Sequence, residues 1–263
     1  MTGERMLLWR GVSALDGITP IVVLATYDRN PNGRNSGNTK TGDMAQTWIL
    51  RDDIEPHVAL REGQDAAICG GCPHRSVASG GSGACYVTVF RAPLSVWRAF
   101  KRSGARPLDL EVLRDRKIRF GAYGDPAAAP FELWESIAQV ATAVTGYTHA
   151  WRDCDLRFHR YCMASVDSLE ERDEARSLGY RAFVVRPDWV LKPKGLVSCP
   201  ASDEAGRRTT CSECLQCGGT SNGRRSDITI AAHGPTANRF DSIWSETPLP
   251  SNASLPAVSS GIL

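Results

Sequence analysis

Short apolar runs separated by polar segments mark the first part of the chain. Residues 18–27 are rich in β-branched side chains and end at a polar turn over residues 28–33, a pattern that predicts a strand. A polar loop over residues 30–43 is rich in Gly and Asn and has no regular spacing, and a short extended piece over residues 47–50 follows it. We therefore predict strands joined by an irregular loop in this region.

Beyond residue 90 the apolar positions alternate between helical and extended spacing. Helical spacing occurs over residues 93–103, 131–144 and 168–178. Extended runs occur over residues 117–122, 145–151, 161–166, 180–185 and 227–232. Ser168 opens the third helix with the Ser-x-x-Glu form of a capping box, and Gly179 ends it. Repeated strand–helix alternation predicts an α/β fold with parallel strands, as an open sheet or as an incomplete parallel (β/α) barrel.

Composition divides the chain into three predicted parts. Residues 1–190 carry the strand–helix alternation and are predicted to form a barrel-like domain with an N-terminal three-cysteine loop. Residues 191–240 are predicted to form a cysteine-rich metal-binding segment, and residues 241–263 a disordered tail rich in Pro, Ser and Ala. The whole chain has 263 residues, 42% of them hydrophobic and 23% charged, which is ordinary for a globular protein with a packed core.

Charge and hydropathy exclude several classes of partner. The apolar runs are too short to span a membrane and the first residues lack a secretion signal, so we expect a cytoplasmic protein with no membrane partner. The 31 Lys and Arg against 29 Asp and Glu give a net charge of +2, which argues against a general polyanion binder. A local basic excess over residues 91–119 leaves open a solvated helix face or a contact with a nucleic acid or nucleotide.

The nine cysteines change this picture, because disulfides are disfavoured in a reducing compartment and metal binding becomes the leading interpretation. Cys211, Cys214 and Cys217 are separated by two-residue spacers, which let three thiolates surround one centre. The fourth ligand is predicted to be Cys199, with His233 as the alternative. Zinc and an iron–sulfur cluster are both open interpretations of this site.

An earlier set of three cysteines has the ligand number of an open iron–sulfur site. Cys69 and Cys72 are separated by two residues, and Cys85 follows after a Gly/Ser-rich loop. Three thiolates leave one iron of a cluster free to bind a small ligand, whereas His74 would complete a closed zinc site. The remaining cysteines are interpreted as core or surface thiols: Cys154 and Cys162.

Taken in order along the chain, several motifs resemble those of the radical S-adenosylmethionine (radical SAM) enzymes. They are a three-cysteine loop ending in Cys85-Tyr86, a strand running into Gly124-Asp125-Pro126, and a strand ending in Ser165-Val166-Asp167-Ser168. The last cysteine spacer is longer than in the family's usual Cys-x3-Cys-x2-Cys loop, and Asp125 stands where the family has Glu. The chain also resembles a poorly characterised family of phage proteins with a similar Cys-Tyr element, a Gly-Asp strand end and late cysteines.

The resemblance implies a barrel of the radical SAM/TIM type, an iron–sulfur cluster on the first three cysteines, and S-adenosylmethionine as a cofactor. Tyr86 would lie near the adenine, Gly124 and Asp125 near the methionine amino group, and Ser165 or Asp167 near the ribose or carboxylate. Asp125 and Asp167 are also the candidate catalytic residues, because parallel βα folds gather their sites at the carboxyl ends of strands. The cluster would pass one electron to S-adenosylmethionine, and the resulting deoxyadenosyl radical would remove a substrate hydrogen.

Three functions are therefore kept as hypotheses. The first is a radical SAM-like iron–sulfur enzyme, phage-encoded if the second resemblance holds, that modifies a nucleic acid, a nucleotide or a protein. The second is a zinc-containing barrel enzyme of the transglycosylase type that exchanges nucleobases, with Asp125 or Asp167 as nucleophile. The third is a nonenzymatic, zinc-stapled nucleic-acid-binding protein, which would leave the acids at the strand ends without a role.

Overall fold

Two sheets organise the computed structural model, which describes residues 4–28 and 40–244. The first sheet has six strands in the order β4-β1-β2-β3-β5-β6, and the second has five in the order β10-β11-β9-β8-β7. The strands of the first sheet are β1 (Glu4–Val12), β2 (Pro20–Tyr27), β3 (Ala45–Arg51), β4 (Arg106–Pro107), β5 (Lys117–Tyr123) and β6 (Ala143–Thr145). The strands of the second sheet are β7 (Tyr147–Thr148), β8 (Met163–Val166), β9 (Ala182–Arg186), β10 (Val197–Ser198) and β11 (Ile228–Ala231).

Helices connect these strands and cover the sheets. The α-helices are α1 (Pro56–Arg61), α2 (Ala66–Cys69), α3 (Ala92–Ser103), α4 (Leu110–Leu113), α5 (Phe131–Val140), α6 (Leu169–Ser177) and α7 (Cys211–Cys214). Short 3-10 helices occupy Val77–Ser79, Pro126–Ala128, Leu156–Arg160 and Ala237–Ser242. Of the helices in the described ranges, none combines the length and the hydropathy that a membrane crossing requires.

Parallel pairing confirms the predicted α/β class. β3, β5 and β6 pair in parallel in the first sheet, and the second sheet is parallel throughout. Helix α5 lies between β5 and β6 in the chain, and α6 lies between β8 and β9. A helical crossover of this kind returns the chain in the same direction, so the predicted strand–helix alternation accounts for the parallel strands.

The N-terminal strands depart from the predicted parallel arrangement. β1 pairs with β2, and β2 with β3, in antiparallel register. Residues 13–19, which join β1 to β2, are too few for a crossover helix, so the chain reverses direction there. β1 is absent from the sequence prediction, since its ends carry charge and only Met6 and Leu8 within it are buried.

The helix predicted over residues 131–144 ends earlier, at Val140. Ala141 takes extended backbone angles, and the Thr142 N–H donates to the Arg116 carbonyl at 3.0 Å, which leads the chain into β6 beside β5. The β-branched pair that follows in β6 suits a strand better than a helix, so the local propensity agrees with the observed boundary.

The strand predicted over residues 145–151 is divided at Gly146. β6 lies before it in the first sheet and β7 after it in the second sheet, so this glycine joins the two sheets along the chain. A Cβ at Gly146 would lie 2.8 Å from the Cys162 Sγ atom, and only glycine fits this close approach.

One hydrophobic core joins the two sheets. It includes Ile49 of β3 and Phe120 of β5 from the first sheet, and Ala164 of β8 and Val184 of β9 from the second. The predicted metal-binding segment, residues 191–240, does not stand apart from this body, since its strand β11 pairs with β9. The predicted tail is described only as far as residue 244, so the rest of it lies outside the described residues.

The chain turns sharply at Gly124, after β5, and alanine is expected to be poorly tolerated there. Gly124 has a φ of 81°, and a Cβ would lie 2.7 Å from the Ile49 carbonyl oxygen. Gly124→Ala should lower the free energy of unfolding by roughly 3 kcal/mol, because a left-handed backbone and a steric overlap add together. Gly80→Ala is the matched control, with a φ of 78° in the left-handed region and open space around its Cβ, and should cost only about 1 kcal/mol. Urea unfolding compares the two, and equal losses would contradict the overlap at Gly124.

Candidate functional site

A single cavity of about 440 Å³ receives residues from both predicted cysteine sites. Cys69, Cys72 and Cys85 form the first cysteine group, and Cys199, Cys211, Cys214 and Cys217 form the second cysteine group; all seven line the cavity. Other lining residues are Tyr86, Gly124, Asp125, His149, Ser165 and His233. Because Asp125 and His149 follow the carboxyl ends of β5 and β7, the cavity lies where parallel βα folds place their sites.

Backbone hydrogen bonds bring the members of the first cysteine group together. Cys69 is the last residue of α2, and the Cys72 N–H donates to the Cys69 carbonyl at 3.2 Å. The loop of residues 73–84 folds back on itself, and the Cys85 N–H donates to the His74 carbonyl at 2.9 Å. The Gly/Ser-rich spacer therefore returns the third cysteine to the start of the loop, as the sequence predicts.

The first cysteine group lies in acidic surroundings. Burial raises the pKa of all three thiols, and that of Cys69 is raised further by Cys72, Asp65, Cys85 and Asp125. Each of these four neighbours is itself an acid. Deprotonated thiols in this setting need a nearby cation, so the chemistry of the donor set fits a bound metal ion or cluster.

Asp125 is buried, and backbone groups hold its carboxylate. Oδ1 accepts from the Ala127 N–H at 2.9 Å, and Oδ2 accepts from the His149 N–H at 2.8 Å. Its own N–H donates to the Ile68 carbonyl at 2.6 Å, beside Cys69. Burial raises the pKa of Asp125, and the backbone donors oppose that rise. Asp125 therefore ties the end of β5 to α2 and to the end of β7.

Asp167, which follows β8, contacts two histidines. Its Oδ1 lies 2.9 Å from His74 Nε2, and its Oδ2 lies 3.8 Å from His149 Nε2. The centroids of the two imidazole rings are 5.2 Å apart, and the Phe240 ring stacks on His74 at 5.1 Å. One half of the predicted capping box of α6 forms, since the Glu171 N–H donates to the Ser168 hydroxyl at 3.1 Å, but Glu171 Oε2 accepts from the Asp167 N–H at 2.8 Å instead of from the Ser168 N–H. The start of this helix thus fixes the backbone position of Asp167.

His149 is held in its neutral form. Burial lowers its pKa to about 4. The Nε2 atom is buried and has no hydrogen-bond partner among the described residues. In the described part of the chain, His74, His149 and Asp167 are the set of potential metal ligands whose three donor atoms all lie within 4.8 Å of one another.

Tyr86 lies at the rim of the cavity, where 52% of its surface is exposed. Its hydroxyl accepts a hydrogen bond from Arg119 Nη2 at 2.8 Å, and its ring packs near His233 with the centroids 5.7 Å apart. Although burial opposes it, Tyr86, Tyr147 and Cys211 raise the pKa of Arg119, so this guanidinium stays charged inside the cavity. Ser165, by contrast, is buried in the cavity wall.

The second cysteine group is assembled from three elements. Cys199 follows β10, and its N–H donates to the Thr229 carbonyl of β11 at 2.8 Å. Cys211 and Cys214 are the two ends of α7, which opens with a capping box at Thr210. The Cys217 carbonyl accepts from the Gly146 N–H at 3.0 Å, at the junction of the two sheets.

The thiols of the second cysteine group affect one another. The pKa of Cys217 is raised to about 12, mainly by burial and in smaller part by the other three members of the group, while a hydrogen bond with Tyr147 opposes the rise. Burial also raises the pKa of Cys211, but Arg119 and Lys40 oppose that rise. This group therefore has cationic neighbours that partly balance thiolate charge, unlike the first cysteine group.

The electrostatic neighbours of the thiols favour Cys199 over His233 as the fourth ligand. Cys199 acts electrostatically on Cys211 and Cys217, whereas the charged groups that act on His233 are Lys40, Asp203 and Glu204. Its role as a ligand remains a prediction.

Cys154 and Cys162 lie outside the cavity, and ion pairs account for part of the basic segment. Cys154 and Cys162 pack in or against the main core, where the Cys154 Sγ atom lies 3.4 Å from the Tyr180 hydroxyl. Within the basic segment, Arg98 pairs with Glu55, and Lys101 with Asp52. Part of that basic excess thus serves internal ion pairs, and a nucleic-acid contact through residues 91–119 remains a prediction.

Comparison with known proteins finds no matching family model, no matching curated protein and no matching solved structure.

The sequence does not reveal that His74, His149 and Asp167 meet. His74 and Asp167 are 93 positions apart, and a Cys-Pro-His element carries no signal for a distant partner. The sequence does predict that Asp125, His149 and Asp167 lie near one end of the sheet, because adjacent parallel strands end at the same edge, but it gives no sign that His74 joins them. The role of Arg119 was missed as well, since its segment was interpreted only as a strand and by its net charge.

Proposed function

We propose that the chain is an iron–sulfur enzyme of the radical SAM-like kind, which modifies a nucleic acid, a nucleotide or a protein. The observation that carries this proposal is the common cavity of the two cysteine groups, whose volume is in the range of small-molecule sites. The direct connection of the two sheets at Gly146 supports an incomplete barrel, because the strand sequence then continues from one sheet to the other.

The first cysteine group would hold the cluster that binds S-adenosylmethionine. Three buried thiols with acidic neighbours fit a cationic cluster, and three ligands leave one iron open. When bound, the cluster would supply the single electron for the reductive cleavage of S-adenosylmethionine. The task of the protein residues is to hold the cofactor and the substrate in a productive orientation.

Residues around the cavity supply the contacts that this chemistry needs. Tyr86 offers an exposed ring for the adenine, and Ser165 offers a hydroxyl for the ribose or the carboxylate. Gly124 brings the backbone close to the methionine amino group. Asp125 acts as a positioning residue, because both of its oxygens already accept hydrogen bonds from backbone groups.

The same contacts weigh against the alternative functions. A zinc-containing transglycosylase would present Asp125 or Asp167 to its substrate as a nucleophile, whereas both Asp125 oxygens accept hydrogen bonds from backbone groups and Asp167 Oδ1 is hydrogen-bonded to His74. A nonenzymatic zinc-stapled protein would have no use for a cavity of this size lined by strand-end polar residues. For the second cysteine group, zinc and a further iron–sulfur cluster both match four thiolates.

The test begins with anaerobic purification of the full chain and reconstitution with iron and sulfide. We expect brown protein whose charge-transfer absorbance bleaches with dithionite, and reductive cleavage of S-adenosylmethionine to methionine and 5′-deoxyadenosine. Cys72→Ala should lose the cleavage activity entirely, whereas Cys154→Ala, outside the cavity, should retain it. Colourless protein with stoichiometric zinc and no cleavage would refute the proposal.

A further inference from the structure

We propose that His74, His149 and Asp167 form a mononuclear binding site for a divalent transition-metal ion, in addition to the cysteine sites. Two neutral imidazoles and one carboxylate are a ligand set that zinc and non-haem iron(II) both accept. The inference goes beyond the proposed function, because none of the three side chains is a cysteine and the site needs neither a cluster nor S-adenosylmethionine.

The distances between donor atoms fit one small ion. Ligands about 2.1 Å from a common metal lie roughly 3.0–3.4 Å apart at octahedral or tetrahedral angles. Asp167 Oδ1 lies 2.9 Å from His74 Nε2 and Asp167 Oδ2 lies 3.8 Å from His149 Nε2, and one donor atom of each residue lies within 4.8 Å of the other two. Small side-chain rotations would therefore suffice to bring all three donors onto one ion.

An unpartnered nitrogen gives an independent indication of a ligand. His149 Nε2 is buried and has no hydrogen-bond partner among the described residues, which is costly unless something binds there. The backbone of His149 is already fixed by Asp125, through the 2.8 Å hydrogen bond to its N–H. The imidazole is thus held in place and directed at the carboxylate of Asp167.

Surrounding contacts give the site the features of a catalytic rather than a structural metal centre. Phe240 stacks on His74, and the hydrogen bond from the Asp167 N–H to Glu171 Oε2 fixes the backbone of Asp167. Both histidines line the cavity. Three protein ligands leave coordination positions open, and here these positions would face the cavity, where water or an oxygen of the substrate could bind.

Cobalt(II) is a suitable probe, because its spectrum separates nitrogen and oxygen ligands from thiolates. We would titrate the full chain anaerobically after iron–sulfur reconstitution and compare it with His149→Gln and Asp167→Asn. His159→Gln is the matched control, since His159 is also partly buried but bonds Thr220 at 3.0 Å. We expect both site variants to lose one equivalent of cobalt with no change in thiolate-to-cobalt absorbance, and the control to keep it.

Circular dichroism and melting curves identify the variants that remain folded, and Asp167→Asn decides the question if His149→Gln does not fold. Unchanged cobalt stoichiometry in a folded site variant would overturn the proposal, and so would loss of cobalt accompanied by loss of the thiolate band. Cobalt stoichiometry is measured without S-adenosylmethionine, so failure here leaves the proposed function standing, and failure of cofactor cleavage leaves this site standing.

Discussion

Replacing Arg181 with methionine is expected to lower the free energy of unfolding by about 4 kcal/mol. Arg181, between α6 and β9, is only 2% exposed. Its Nη1 donates to the Gln216 carbonyl at 2.7 Å and to the Gly219 carbonyl at 2.8 Å, and its Nε donates to the Ser226 carbonyl at 3.0 Å. Methionine fills a similar volume but leaves the buried Gly219 carbonyl without a donor, and it also removes the donors to the carbonyls of Gln216, which is half-buried, and of Ser226, which is exposed.

Urea unfolding of Arg181→Met and of the control Arg224→Met measures this effect. Arg224 is exposed and lies between Gly219 and Ser226, whose carbonyls Arg181 contacts. Its replacement should change stability by no more than about 0.5 kcal/mol. Arg181→Lys should recover little, because a lysine ammonium cannot reproduce the fork that reaches several carbonyls at once. A loss below about 1 kcal/mol for Arg181→Met would show that other contacts or water satisfy these carbonyls.

The strand–helix alternation after residue 90 could be predicted because the longer elements there carry their own local signals. Helix α6 begins at the predicted capping box and is followed by Gly179, and β5 begins at Lys117 as predicted. Elements of two residues, such as β7 and β10, have no periodicity to detect, and their pairing depends on neighbouring strands. The N-terminal β1 was not predicted for a related reason, since its pairing with β2 and β4 rather than its own pattern defines it.

The relation between the two cysteine groups could not be read from the sequence. Local spacing predicts each group separately and assigns the groups to different parts of the chain. The structure brings them to one cavity because β11 pairs with β9 and Cys217 binds the Gly146 backbone between the sheets. These are contacts over long sequence separations, whereas motif spacing reports only neighbouring residues.

The common cavity also has an electrostatic consequence. The first cysteine group has acidic neighbours that include Asp65 and Asp125, whereas Arg119 and Lys40 lie near Cys211 in the second. Four thiolates on one metal centre carry excess negative charge, and these two cations offset part of it. We therefore expect the second group to be the more stable metal site and to contribute directly to folding.

Cys217→Ala should accordingly release the metal of the second cysteine group and cost roughly 4 kcal/mol of folding stability or more, because the binding energy of a structural metal contributes to folding. Cys162→Ala is the matched control, since that thiol is also buried, packs in the main core, and should cost only about 1 kcal/mol. Thermal unfolding with bound-metal analysis compares the two variants.

The same measurements identify the fourth ligand. Cys199→Ala should behave like Cys217→Ala, because Cys199 lies close enough to influence Cys211 and Cys217, whereas His233→Ala should keep its metal. Addition of a strong chelator should lower the melting temperature of the parent protein toward that of Cys217→Ala and leave the variant unchanged. Loss of metal only in His233→Ala would assign the fourth ligand to that histidine. Full metal retention in Cys217→Ala, with a stability matching Cys162→Ala, would show that these cysteines bind no common ion.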